Sequence, residues 1–586
     1  MAREDLACNV AQSLSGQGWR WRRSGGDPLQ PDALVDELLL ARGVERADLA
    51  RHREPTIRDF LPDPSAFRDM DKAAGRIADA VEAGEQIAIF GDYDVDGATS
   101  SALLVILLRR LGLDPISYIP DRVIEGYGPT AEALLGLKQR GAGLVITVDC
   151  GAQAFDAFAA AREAGIEIVV VDHHQCAAAL PLAHALVNPN RLDEEDVGAA
   201  HGHLAAVGMC FLLGVALLRE LRGRGQFALV PEPKLLDLLD LVALGTVADV
   251  AKLHGLNRAF VTQGLKVMAG GQNIGLKALA EAARLTRAPA CRDLGFALGP
   301  RINAGGRVGK SDLGVRLLTS ECPEEARSLA VELDRLNEER RAIEAIVLEQ
   351  AEREAEDQAD APLIIVAGSG WHPGVIGIVA GRLKERFNRP AIVIAIDEQG
   401  VGKGSGRSIS GVDLGAAVLA AKDSGLLIAG GGHAMAAGLT VGIGGVEAVR
   451  GFLHERLAQV IEEARAGRAL LVDTLCAPRG VASGLCDALD AGGPYGAGWP
   501  SPRVVSGPAR LIKVGVVGNG HVRGIACGED GASFKWIAFR AADTPLGQAL
   551  LQISSERRLW LAGSIKRDEW NGGDKAEMHL DDAAFA

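Results

Sequence analysis

The 586-residue chain lacks any Cys-x-x-Cys pair; its nine cysteines are scattered singly. An odd, dispersed set argues against a disulfide framework and fits reduced cytosolic thiols. No apolar run approaches the ~18 residues of a membrane-spanning helix. Met1 to Arg20 is polar and carries acids, unlike a signal peptide. There is no low-complexity tract and no internal repeat. Excess positive charge is missing too: the net charge is −14. Nothing global therefore marks a nucleic-acid ligand, although binding depends on local charge rather than the total. What remains is an ordinary globular composition, with 48% apolar and 24% charged residues. The length predicts roughly three to four domains.

The densest chemistry lies in Gly91-Asp92-Tyr93-Asp94-Val95-Asp96-Gly97, with aspartates at alternate positions. The apolar run Gln86–Phe90 before it reads as a buried strand, and Ala98–Leu111 after it as a buried helix. The acids thus fall on a turn at the carboxyl end of a strand, where open α/β sheets place their ligands. Aspartates this close repel one another, so a hard divalent cation with oxygen ligands is expected between them. The plain competing reading is an Asp-rich turn that caps a helix.

Further along, strands predicted at Ile116–Ile119, Leu144–Val148, Glu167–Val171 and Ala185–Val187 alternate with helical stretches such as Thr130–Arg140 and Gln153–Ala164. That alternation predicts a parallel sheet covered on both faces. The strand ends carry Asp149-Cys150-Gly151 and Asp172-His173-His174, and the apolar helix Leu235–Leu244 runs into Gly245–Asp249. One such acid is unremarkable. Four such elements in order predict a metal centre. Carboxylates with one or two imidazoles suit Mn²⁺ or Mg²⁺ better than thiolate-loving metals.

These motifs resemble the DHH phosphoesterase family, named for a triplet such as Asp172-His173-His174. Within it the match is closest to the RecJ single-strand exonucleases. Asp121-Arg122 with Glu125–Gly128, Arg301–Arg307, Gly370–His372 with Gly374–Gly377, Gly404–Ser408, and Gly431–His433 with Met435–Gly438 stand in the order of that family. The resemblance spans roughly residues 50 to 510. It implies that Asp94 and Asp96 bind separate cations and that Asp149 bridges them. His173 and Asp249 would complete the second cation, His174 would face the phosphate, and Asp92 would support from behind. It also implies a substrate groove lined by Arg122, Tyr127, Arg301, Asn303, Arg307, Ser405, Arg407 and His433. Phe90 stands where related pyrophosphatases carry a histidine. That departure implies weaker binding of one cation.

The expected architecture is α/β. Residues 1–75 form an N-terminal extension, in which Trp19 and Trp21 either pack or touch nucleic acid. Residues 76–320 form a parallel-sheet DHH lobe. Pro323–Glu356 is predicted as a connecting helix of ~50 Å, within residues 321–357. Residues 358–466 form a second α/β lobe (DHHA1), whose glycine-rich Gly402–Gly411 and Gly430–Gly432 read as phosphate-approaching loops. From 467 to 586 the resemblance implies an OB-fold β-barrel, a common single-strand binder. Between Arg503 and Trp570, ten Lys/Arg stand against six Asp/Glu. There Trp536, Phe539, Trp560 and His521 either stack on bases or fill the core. Trp499 replaces the asparagine usual before the barrel. By resemblance the function is a metal-dependent 5′-to-3′ exonuclease on single-stranded DNA in bacterial cytoplasmic recombination and repair. Its partners would be single-strand DNA-binding protein and a helicase, with no membrane. The alternatives are a DHH oligoribonuclease or small phosphoester hydrolase, and a non-catalytic DNA-binding scaffold.

Overall fold

The computed structural model describes residues 6–22, 31–122, 125–228, 230–568 and 575–586. Trp570, the end of the basic stretch counted above, lies outside them. The chain forms two compact units: Pro62–Asp249 with Gly264–Gly467, and Met1–Leu61 with Val250–Gln263 and Arg468–Ala586. Among the described residues no helix is long and apolar enough to cross a membrane.

Among the described residues the larger unit holds two sheets. The first is wholly parallel, in the order Ile116–Tyr118, Ile87–Gly91, Leu144–Val148, Glu167–Val171, Ala185–Val187. Ile87–Gly91 and Leu144–Val148 are buried at every position, which is why they read as unbroken apolar runs. One boundary differs in a way that matters. The helix predicted from Ala98 begins at Val95, because the Asp94 carboxylate caps it. Asp94 Oδ1 accepts from the amides of Asp96 at 2.9 Å and Gly97 at 3.1 Å. Asp96 therefore sits inside the first helical turn and not on a loop.

Pro323–Glu356 is one helix of 34 residues. Arg340, which breaks its apolar stripe in sequence, is nonetheless buried. It pairs with Glu344 one turn on and donates to Asn337 Oδ1 at 2.9 Å. A buried charge is tolerated only when so paired.

The second sheet runs Ala429–His433, Ala436–Val441, Gly402–Arg407, Ala391–Ile396, Ile364–Ser369, antiparallel except for its last pair. The glycine-rich stretches expected as loops are thus strands, and the amides of 402–407 serve the sheet. The reason is a period of two. Side chains at Gly402, Gly404 and Gly406 would strike Ile394, Leu439 and Leu414 at 2.7 Å, so one face must be bare. Lys403, Ser405 and Arg407 stand on the other.

In the smaller unit five strands close a barrel: Val504–Val517, His521–Gly528, Ser533–Ala538, Ala576–Phe585 and Arg558–Arg567, the last pairing back with the first. Trp536 fills its core and so is not a stacking residue. Phe539 is exposed, with His521 and His579 edge-on to it. Of the N-terminal extension expected over residues 1–75, the part up to Leu61 belongs to this unit, whereas the chain from Pro62 onward belongs to the larger one. Trp19 is fully buried and its Nε1 donates to Asp582 Oδ2 at 2.9 Å.

Trp499 is buried as well. Its Nε1 donates to Gly492 O at 3.1 Å, and the guanidinium carbons of Arg42 and Arg258 lie 5.3 and 5.4 Å from its ring centroid. The departure at Trp499 is therefore the hub of a packed joint.

Candidate metal centre and phosphate groove

Strand ends deliver the acids. Ile87–Gly91 leads to Asp92, Leu144–Val148 to Asp149, and Glu167–Val171 to Asp172 and His173. The helix Leu239–Ala248 ends on Asp249. Asp149 adopts φ 60°, a left-handed conformation that costs a non-glycine residue on the order of 1–2 kcal/mol.

Three interlocking groups result: Asp92, Asp94 and Asp149; Asp96, His173 and Asp249; Asp149, His173 and His174. Within each, one ligand atom per residue lies within 4.8 Å of the others. Asp149 belongs to two groups. Asp92, expected behind the ligands, stands among them.

His173 is oriented for ligation. Its Nδ1 lies 3.0 Å from Leu204 O, so the proton belongs on that nitrogen. Nε2 then presents its lone pair 3.2 Å from Asp149 Oδ1 and 3.9 Å from Asp96 Oδ2. His173 Nε2, Asp149 Oδ1 and Asp92 Oδ1 are all buried without a hydrogen-bond partner. Such atoms are costly unless something else binds them.

Burial, and then mutual repulsion, pushes the carboxyls of Asp92 and Asp149 well above the usual range. Asp96 shifts the same way from burial and the Asp94 charge, with His173 opposing. Asp249 is pushed up to about 9 by burial and by Asp96 and Asp94. A cation among them would restore their charged forms.

His174 behaves differently. Burial alone would lower it, but its Nδ1 lies 2.8 Å from Asp172 Oδ1, and the pair raises it to about 9. Asp172, despite its burial, falls to about 2 through that contact. The Tyr127 hydroxyl donates to Asp149 O at 3.1 Å and stands 3.2 Å from His174 Nδ1.

Beside the acids lies a cluster of arginines. Burial and the charges of Arg122, Arg340 and Arg407 lower Arg307 to about 10, with Asp94 opposing. Burial and Arg122 lower Arg407 as well. Arg307 Nη1 donates to Gly374 O at 2.8 Å. Arg407 Nη1 donates to Ser405 Oγ at 3.1 Å and Gly406 O at 2.8 Å. In cross-strand register Arg407 opposes Ala436, which opposes His433; Ser405 opposes Gly438, which opposes Gly431. Those residues share one face, where Gly431 and Gly438 leave open space. That face holds Arg407, Ser405 and His433 over a bare glycine floor. No described contact brings Ser405, Arg407 or His433 to the acids themselves, and Arg301 and Asn303 are not brought to them either. Arg301 is committed to Asp334 on the long helix at 2.8 Å and to Ala297 O at 2.7 Å. Asn303 is half-buried on the same helix, Gly299–Val308.

Phe90 is fully buried, its ring 5.3 Å from that of Tyr118, so it packs and offers no ligand. Sequence reasoning also missed residues that hold the loop. Asn188 Nδ2 donates to His174 O at 2.8 Å, and Asn190 Nδ2 to His173 O at 2.6 Å. The Asn-Pro-Asn run just after a strand was the available signal. The amides of Ala206 and Val207 at a helix start donate to the Asp96 carboxylate at 2.6 and 2.9 Å. Nothing in sequence links positions so distant.

Three family models match the chain: the DHH family N-terminal domain over residues 86–246, the DHHA1 domain over 360–463 and the RecJ OB domain over 472–582. The single-stranded-DNA-specific exonuclease RecJ of Escherichia coli is 36% identical over 568 residues, covering 94% of this chain and 96% of its own. This chain belongs to the RecJ family. RecJ of Salmonella typhimurium is 39% identical over 85% of this chain and 87% of its own. Among solved structures, RecJ of Thermus thermophilus in complex with Mn²⁺ superposes with a TM-score of 0.74 at 28% identity, over 95% of this chain and 78% of that one. The Mg²⁺ complex of the same RecJ gives 0.68 at 27%, over 95% and 77%.

Proposed function

We propose that this chain is a metal-dependent exonuclease that removes nucleotides from the 5′ end of single-stranded DNA. One observation carries the reading: interlocking, buried carboxylates with orphaned atoms, beside a cluster of arginines. Asp92, Asp94 and Asp149 would hold one cation, and Asp96, His173, Asp249 and Asp149 another. Two bound Mn²⁺ or Mg²⁺ ions supply Lewis acidity there, acidifying water and offsetting charge on the phosphate.

The residues of the chain do the rest. Asp172 holds the His174 imidazole by its Nδ1 and orients the ring toward a phosphate oxygen. Tyr127 braces Asp149 and that imidazole. Arg122, Arg307 and Arg407 grip a terminal phosphate, which carries more charge than an internal one. Ser405 orients Arg407. A chain end is thereby selected, which the metal pair alone would not do. Arg301 acts by pinning its helix. In a bacterial cytoplasm such an enzyme works in recombination and repair, on strands opened by a helicase and coated by single-strand DNA-binding protein.

The test is digestion of strands labelled at either end and bearing 5′-phosphate or 5′-hydroxyl, with Mn²⁺ or Mg²⁺. The expected result is mononucleotides from the 5′ end and faster loss of phosphorylated strands. Arg407→Ala should reduce that preference about tenfold, as expected for a charge-assisted contact. Equal release from both ends, or an unchanged preference in the variant, contradicts the assignment.

A further inference from the structure

Leu294–Leu298 is a single π-helical turn that leads into the helix Gly299–Val308. Such turns are rare and concentrate at functional sites. Leu294 and Leu298 are fully buried, whereas Phe296 leaves 75% of its surface to solvent. One exposed phenylalanine is unremarkable by itself. Its position is what matters. The turn packs on the end of the helix that delivers Asp249. A methyl group built on Gly295 would lie 3.6 Å from Val247 Cγ1. One built on Gly299 would lie 3.3 Å from Ala248 Cβ and 3.9 Å from Val95 Cγ2. Val95 separates Asp94 from Asp96, and Ala248 precedes Asp249. The other end of the same helix packs on Tyr93: a methyl group on Gly306 would meet Tyr93 O at 2.7 Å. Tyr93 in turn carries the Arg122 guanidinium, 4.9 Å from its ring centroid. The helix therefore runs from the Asp249 side of the metal centre, where Phe296 stands, to the arginine side, where the 5′-phosphate is proposed to bind.

A strand held by its end at the arginines and cut at the metal centre must continue beyond it. A polynucleotide there needs a flat apolar face for a base and a cation for the phosphate beside it. Phe296 offers the face, and the Arg292 guanidinium stands 5.9 Å from its ring centroid. We infer that Phe296 is a stacking platform for a nucleobase on the 3′ side of the cleaved bond, with Arg292 as its phosphate neighbour. The inference rests on the nuclease reading above. It assigns a sequence-tolerant contact, since every base has a π-face.

The test couples the protein ring to a single base. Strands carrying one abasic site at successive positions are bound by wild type and by Phe296→Ala with EDTA present, and digested by both with Mn²⁺. At one position the abasic site should weaken wild-type binding about tenfold, as removal of the ring does. At that position Phe296→Ala should lose nothing further, while losses elsewhere add. Phe296→Trp should keep the affinity and Phe296→Leu should not, although leucine would serve a packing role as well. Additive losses at every position, with digestion intact, overturn the inference. Coupled losses in binding without any digestion support the platform and sink the nuclease reading instead.

Discussion

The metal centre and the Trp499 joint both bury charge, and they settle it in opposite ways. In the joint, Arg258 is fully buried yet donates to the backbone carbonyls of His52, Gly492, Gly493 and Pro494. Each nitrogen of that guanidinium finds a carbonyl, so its charge is settled within the fold, although Arg42 Nε and His52 Nε2 beside it are buried without a partner. In the metal centre, acids crowd together, and buried atoms of Asp92, Asp149 and His173 find no partner. Satisfied burial marks structure; unsatisfied burial of like charge marks a place where a ligand completes the molecule.

The sharpest break of this comparison is Asp149→Asn. Hydrolysis should fall by at least about a thousandfold, because both cation groups lose a shared ligand. Stability should move the other way. With EDTA present the variant should melt a few degrees above wild type, since one buried like charge has gone. A variant that keeps a tenth of the wild-type rate, or melts lower in EDTA, would show that these acids are not poised for cations.

The joint should respond in the reverse sense. Trp499→Ala should cost about 3–5 kcal/mol, typical of deleting a buried tryptophan. It should leave cation affinity unchanged. Calorimetry with a Mn²⁺ titration reads both quantities. Full stability in the variant would show that the joint is dispensable.

The smallest effect expected is a dependence on pH. Burial, with the charges of Arg258 and His254, lowers His52 from 6.5 to about 3. The unfolded chain takes up a proton near 6.5 that the folded joint refuses. Its contribution is thus present above about pH 6.5 and lost progressively as the pH falls toward 3. Melting curves of wild type should therefore shift down below pH 6.5, and those of His52→Gln should shift less. Parallel curves for the two proteins would remove His52 from the acid response.

Parts of this were plain from the sequence. Leu144–Val148 and Ala185–Val187 have the limits expected, because runs buried on both faces leave no ambiguous ends. Pro323–Glu356 is likewise as read: a proline opens it, and its apolar stripe holds period except at Arg340. The fully buried Trp536 could not be distinguished from a base-stacking residue, since both roles select the same side chain. The glycines of Gly402–Arg407 looked like a loop. Their alternation was the overlooked signal, since a strand face pressed beneath Ile394, Leu439 and Leu414 admits no side chain.

By itself, the sequence determined which residue types stand at each strand end, and hence the chemistry available: carboxylates, imidazoles and guanidiniums in a recognisable order. Tertiary structure alone decided how they are used. It placed Asp92 among the possible ligands and tied Asp96 to the amides of Ala206 and Val207. It turned Arg301 away to Asp334 and joined Arg258 to carbonyls more than two hundred residues distant in the chain. The reason is physical. Residue type and spacing act locally, through the backbone. Desolvation, mutual repulsion and hydrogen-bond satisfaction depend on which distant segments meet, and no local pattern records that.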